Sequence, residues 1–123
     1  MSEETMRAYY AAYNAEDPAH LGALLDDHVV LTSAAGEQRG RDAYLATYAY
    51  MIGLFVDRME PVEIAADADG ATVRITDRLT AREDIPDFMG QRLAKGQTIT
   101  LDLVGRYRIR DGRIAAIRIE PAG

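Results

Sequence analysis

The spacing of apolar residues changes part-way along this chain, and that change limits the folds open to it. In much of the first half, apolar side chains recur every three or four positions; beyond residue 61 they alternate. Those periods mark helices and strands respectively. Helices first and strands after imply an α+β chain. Its three N-terminal helices would pack on one face of a strongly curved, mostly antiparallel sheet.

A first helix is expected over residues 2–15, with Ser2 as N-cap and Glu3 and Glu4 near the positive end of its dipole. Met6, Tyr9, Tyr10 and Tyr13 form one stripe. Asp17 followed by Pro18 opens a second helix, with Leu21, Leu24 and Leu25 on its buried face. HVVLTS, 28–33, reads as a short strand and AAGEQRG as a loop. A third helix runs from Arg41 or Asp42 to about Val56, with Tyr44, Tyr48, Met51, Ile52 and Phe55 inward. Pro61 to Ala66 is a strand with Val62 and Ile64 inward, and DADG is a hairpin turn. Residues 84–96, with Pro86, Gly90 and Gly96, read as a long loop of the kind that covers a site. Strands at 97–110 and 113–120 flank Asp111-Gly112, a strong hairpin signal, with a bulge expected near Ala115-Ala116. Gly105 inside a strand implies a bend or a close approach by another group.

The stretch TVRITDRLTA, 72–81, poses the chemical question. Val73, Ile75, Leu79 and Ala81 point one way, and Asp77 shares their face. A buried carboxylate is costly, and full burial alone raises its pKa by about 3–5 units. Such a group has a job as an acid or base, or it has partners, or a bulge turns it outward. The opposite face shows Thr72, Arg74, Thr76, Arg78, Thr80 and Arg82 on this strand, and Thr98, Thr100, Asp102, Val104, Arg106 and Arg108 on the long one. That face is either solvated or a contact between two copies of the chain.

Composition removes several classes. The net charge is −6, which argues against nucleic acid or an anionic membrane surface. There is no cysteine, so disulfides and thiolate chemistry are excluded. His20 and His28 lack a third ligand at metal spacing, and His28 reads as a surface histidine beside an acid. No apolar run approaches a membrane span and no signal peptide is visible, so a cytoplasmic location is expected. The 123 residues and their 48% hydrophobic content suit one domain over 1–123, and no cofactor or metal is expected.

Three segments, YYAAYNAEDPAHLGALLDDHVVLTS, GEQRGRDAYLATY and YRIRDGRIAAIRI, give the chain a wider likeness. It resembles the nuclear transport factor 2-like superfamily, which includes ketosteroid isomerases, limonene-epoxide hydrolases and SnoaL-like polyketide cyclases. The resemblance implies a conical sheet closed by helices around a deep pocket, as a homodimer. By the YNAED register, Tyr9 matches the oxyanion-donating tyrosine of the isomerases. The isomerase base would fall near Thr32 and the second acid near Gly105, and neither is a carboxylate here. Asp77 falls near the first aspartate of the epoxide hydrolases, whose arginine and second aspartate would be Ile75 and Ile119. The resemblance therefore carries architecture further than chemistry.

Asp77 and Tyr9 are the candidate catalytic pair. Tyr13, Tyr48, Met51, Phe55, Phe88, Leu103 and Tyr107 are the candidate walls for a small, largely apolar ligand. A cofactor-independent isomerase, cyclase, lyase or hydrolase fits these residues, and so does a non-catalytic binding or dimerisation module.

Overall fold

The computed structural model describes residues 2–122. Three helices, α1 (Ser2–Asn14), α2 (Pro18–Ala23) and α3 (Arg41–Leu54), alternate with the first strands β1 (Leu25–Ser33) and β2 (Gly36–Arg39). The remaining strands are β3 (Phe55–Ala66), β4 (Gly70–Ala81), β5 (Ile85–Phe88), β6 (Gln91–Leu93), β7 (Thr98–Arg110) and β8 (Arg113–Pro121). Six of them form one sheet in the order β2-β1-β8-β7-β4-β3, and β5 and β6 form a separate hairpin. Every pairing is antiparallel except β1 with β8. This is the expected α+β architecture of helices on a curved sheet.

α2 starts where its cap dictates. Asp17 accepts a hydrogen bond from the His20 backbone N–H, and Pro18 follows it. α1 buries Met6, Tyr9, Tyr10 and Tyr13, the stripe its spacing prescribes. β4 buries Val73, Ile75, Asp77, Leu79 and Ala81 and turns Arg74 and Arg78 to solvent. Asp111 and Gly112 both take positive φ, as a two-residue hairpin turn requires. The β7–β8 register slips between Arg108 and Ile109, which leaves Ala115 as the bulged residue. Gly105 answers to a close approach: a Cβ there would meet the Tyr107 ring at 2.6 Å. Tyr107 lies back along its own strand over that gap.

Several boundaries depart from the sequence expectation. Leu25 belongs to β1, not to the second helix, and AAGEQRG contains β2. α3 stops at Leu54, and β3 begins at once with Phe55 rather than at Pro61. The Phe55 N–H still bonds Met51 O while its backbone is already extended, so no turn residue marks the junction. A register shift between Pro61 and Glu63 accommodates the proline and leaves Val62 62% exposed instead of inward. The 84–96 segment is a structured hairpin, not a long loop. Its two-residue turn, Met89-Gly90, has positive φ at both positions. Ile85 and Leu93 from this hairpin bury against Phe55, Leu79 and Ala81.

Candidate active site

Strand alternation delivers two carboxyls, not one, to the inner face of the sheet. Asp57 on β3 is 1% exposed and Asp77 on β4 is 5% exposed. In the β3–β4 register Asp57 faces Leu79, and Met59 faces Asp77. The aspartates are therefore diagonal neighbours on one face, within side-chain reach. The carboxyls are near enough that Asp57 raises the Asp77 pKa, and a proton held between them would relieve their repulsion. Among the described residues no arginine caps either carboxyl, and the Tyr13 hydroxyl donates to Asp57 Oδ2 at 2.7 Å. The Oδ1 atoms of both carboxyls have no hydrogen-bond partner. Burial, then the hydrogen bond and charge of Asp57, raise the Asp77 pKa to about 9. Two like charges so close cannot both ionise without cost, so at neutral pH the pair holds a proton.

Tyrosines from the helices lie over the pair. The Tyr9 and Tyr44 hydroxyls are hydrogen-bonded to each other, and Tyr10 donates to the Tyr107 hydroxyl at 2.8 Å. Tyr48 donates to the Tyr13 carbonyl at 2.7 Å, tying α3 to α1. Burial raises the pKa of the Tyr9, Tyr13 and Tyr44 hydroxyls, so each stays protonated. A phenol has one proton to give. In the Tyr9–Tyr44 pair one proton is spent on the partner and one remains for a ligand.

Those side chains wall a cavity of about 100 Å³ between helices and sheet. The helices contribute Tyr9, Tyr13, Tyr44, Thr47, Tyr48 and Met51, and the sheet contributes Leu31, Met59, Ile117 and Ile119. No charged side chain is part of this wall. The carboxyl pair stands one side chain behind it: Tyr13 lines the cavity and donates to Asp57, beside which Asp77 lies on the next strand.

Of the residues singled out from the sequence, Tyr9, Tyr13, Tyr48 and Met51 meet at this cavity. Asp77 is buried behind it. Leu103 and Tyr107 belong to the same tyrosine-rich cluster without forming its wall. Phe55 and Phe88 lie elsewhere, ring to ring at 4.8 Å under the β5–β6 hairpin. Sequence reasoning missed Asp57, Tyr44 as a wall residue, and the Tyr10–Tyr107 pair. The alternation Phe55, Asp57, Met59 could have exposed Asp57, had the third helix not been carried past it. Among the described residues no cluster of three or more His, Asp or Glu side chains could hold a metal ion.

The SnoaL-like domain family matches residues 6–117, and the chain belongs to that family. A candidate polyketide cyclase from Pseudomonas putida is 28% identical to it, with a TM-score of 0.83 over 98% of this chain and 90% of that one. A second candidate polyketide cyclase, from Streptomyces antibioticus, is 22% identical with a TM-score of 0.82 over 99% and 92% of the two chains. An M. tuberculosis epoxide hydrolase of the limonene-epoxide hydrolase-like kind is 20% identical with a TM-score of 0.76, over 94% of this chain and 78% of that one. The last two share the fold. No curated protein matches the chain.

Proposed function

We propose that this SnoaL-like chain is a cofactor-independent enzyme that moves a proton on a small, largely apolar ligand. The observation that carries the reading is the Asp57–Asp77 pair, buried without a neutralising arginine and linked to the cavity by the Tyr13 hydroxyl. Such a pair can take up a proton at one end of the chemistry and return it at the other. For a ketone, Tyr13 would accept the α-proton as it passes its own to the carboxylate. The C–H electron pair moves onto the carbonyl oxygen, which takes the free hydroxyl proton of the Tyr9–Tyr44 pair as a hydrogen bond. Reprotonation reverses the path. Isomerase, cyclase and lyase steps all begin this way, and likeness to a candidate polyketide cyclase supports that range.

The test is deuterium uptake at the α-carbon of cyclohexanone in D2O, as a small neutral probe. The wild-type chain should catalyse uptake, and Asp57→Asn, which removes the carboxylate that receives the Tyr13 proton, should lower the rate by about 10²–10⁴-fold. An unchanged rate would remove the carboxyl pair from the chemistry. A non-catalytic binding module is the second reading. It is favoured by one observation: the tyrosine hydroxyls around the cavity are already bonded within the chain.

The outer sheet face is proposed to join two copies. Arg74, Arg78, Arg106 and Arg108 are exposed there, and Arg78–Glu60 and Arg106–Glu120 are its ion pairs. Sedimentation at micromolar concentration should give a dimer; a monomer would contradict the interface. No helix among the described residues is long and apolar enough to cross a membrane, and a cytoplasmic location is part of this proposal.

A further inference from the structure

We infer that the tyrosine-walled cavity takes a small alkylammonium cation, with the Asp57–Asp77 pair as its counter-charge. The inference rests on the reading that this cavity is the binding site, and it names the class of ligand. Four tyrosines, Tyr9, Tyr13, Tyr44 and Tyr48, line the cavity. Their rings are inclined to one another, Tyr13 to Tyr48 at 61° and Tyr9 to Tyr13 at 45°. Aromatic rings carry negative potential on their faces, and inclined rings around one small space are the kind of lining that holds alkylated ammonium groups. Tyr13 adds to this, because donating its proton to Asp57 makes its ring richer in electrons.

The charge balance points the same way. The wall carries no lysine, arginine or histidine, so an anionic ligand would find nothing to neutralise it. Behind the wall, among the described residues, two buried carboxyls have one tyrosine donor, and neither Oδ1 atom has a hydrogen-bond partner. The pair is short of one positive charge. The Tyr13 hydroxyl from α1 contacts it, and its charge raises the pKa of Tyr9 from α1, Tyr48 from α3 and Tyr107 from β7. The nearby arginines are engaged elsewhere, Arg58 on the Asn14 carbonyl and Arg82 on Glu16 and the end of α3. A cation in the cavity would supply the missing charge and let the shared proton leave. A neutral apolar ligand would not. The cavity, about 100 Å³, is on the scale of a single alkylammonium head group rather than an extended chain.

Choline and 3,3-dimethylbutan-1-ol have the same shape and differ in charge. Calorimetric titration of the whole chain with each separates charge from shape. Choline should bind at least about tenfold more tightly, and Asp57→Asn should remove most of that preference. In the wild-type chain, choline affinity should rise as pH increases toward and through about 9, where the pair loses its proton, with the alcohol unaffected. This second arm does not depend on the variant folding. Equal or tighter binding of the alcohol would overturn the cation and leave the apolar-pocket reading intact. A choline preference without pH dependence would overturn the carboxyl pair as counter-charge. No binding of either probe would overturn both the inference and the pocket reading.

Discussion

The interior divides into two clusters built on the same strands from different chemistry. One gathers Phe55, Leu79, Ala81, Ile85 and Leu93, all apolar, under the β5–β6 hairpin. The other holds the tyrosines of α1 and α3 with Tyr107, and it surrounds the cavity. β3 and β4 run through both: Phe55 and Leu79 serve the first, and Asp57 and Asp77 lie beside the second. A step of two residues along each strand passes from close-packed apolar core to a polar pair behind a hollow. The first cluster contributes stability through burial. The second gives some of it up to hold carboxyls and space where a ligand could use them.

The comparison can be broken most directly at Phe55, which is fully buried. Phe55→Ala should destabilise the chain by about 3–5 kcal/mol in urea unfolding. The loss should be the same at acid and neutral pH, because no titrating group belongs to that cluster. A pH-dependent loss would mean that the two clusters are not separable.

The polar cluster should behave in the opposite way. Asp77 has a raised pKa in the folded chain, so the folded state holds a proton that the unfolded state has released over the interval from about 4 to about 9. Stability from this group is therefore complete below the ordinary carboxylate range and falls as pH rises through the interval. Asp77→Asn imitates the protonated form, since its amide can donate to Asp57. It should match the wild-type chain in acid and exceed its stability at pH 8 by about 1–4 kcal/mol. Equal stability at both pH values would show that the carboxyl pair places no strain on the fold.

The same contrast explains what the sequence could reveal. Alternation along β4 was strong enough to place Asp77 inward and Arg74 and Arg78 outward, and helical spacing placed the α1 tyrosines on one face. Asp57 stayed hidden because α3 passes into β3 with no residue between them, and Gly53 lies inside the last turn of the helix. Phe55 satisfies both periods, following Met51 and Ile52 at helical spacing and preceding Asp57 and Met59 at strand spacing. β5 and β6 span only four and three residues, too few to show a period, and Pro86 spoke against a strand. The cavity depends on how large side chains from different elements interleave, which no pattern along the chain records. The inward-facing aspartate visible in the sequence was one half of a pair whose other half arrives from the neighbouring strand.

The central claim is that Asp57 and Asp77 share a proton at neutral pH. Carbon-13 NMR of the aspartate side-chain carboxyls, followed against pH in the wild-type chain, measures it directly. Asp77 should titrate above neutrality, and the step should disappear from the spectrum of Asp77→Asn. Two buried aspartates that both complete their titration in the ordinary carboxylate range would contradict it.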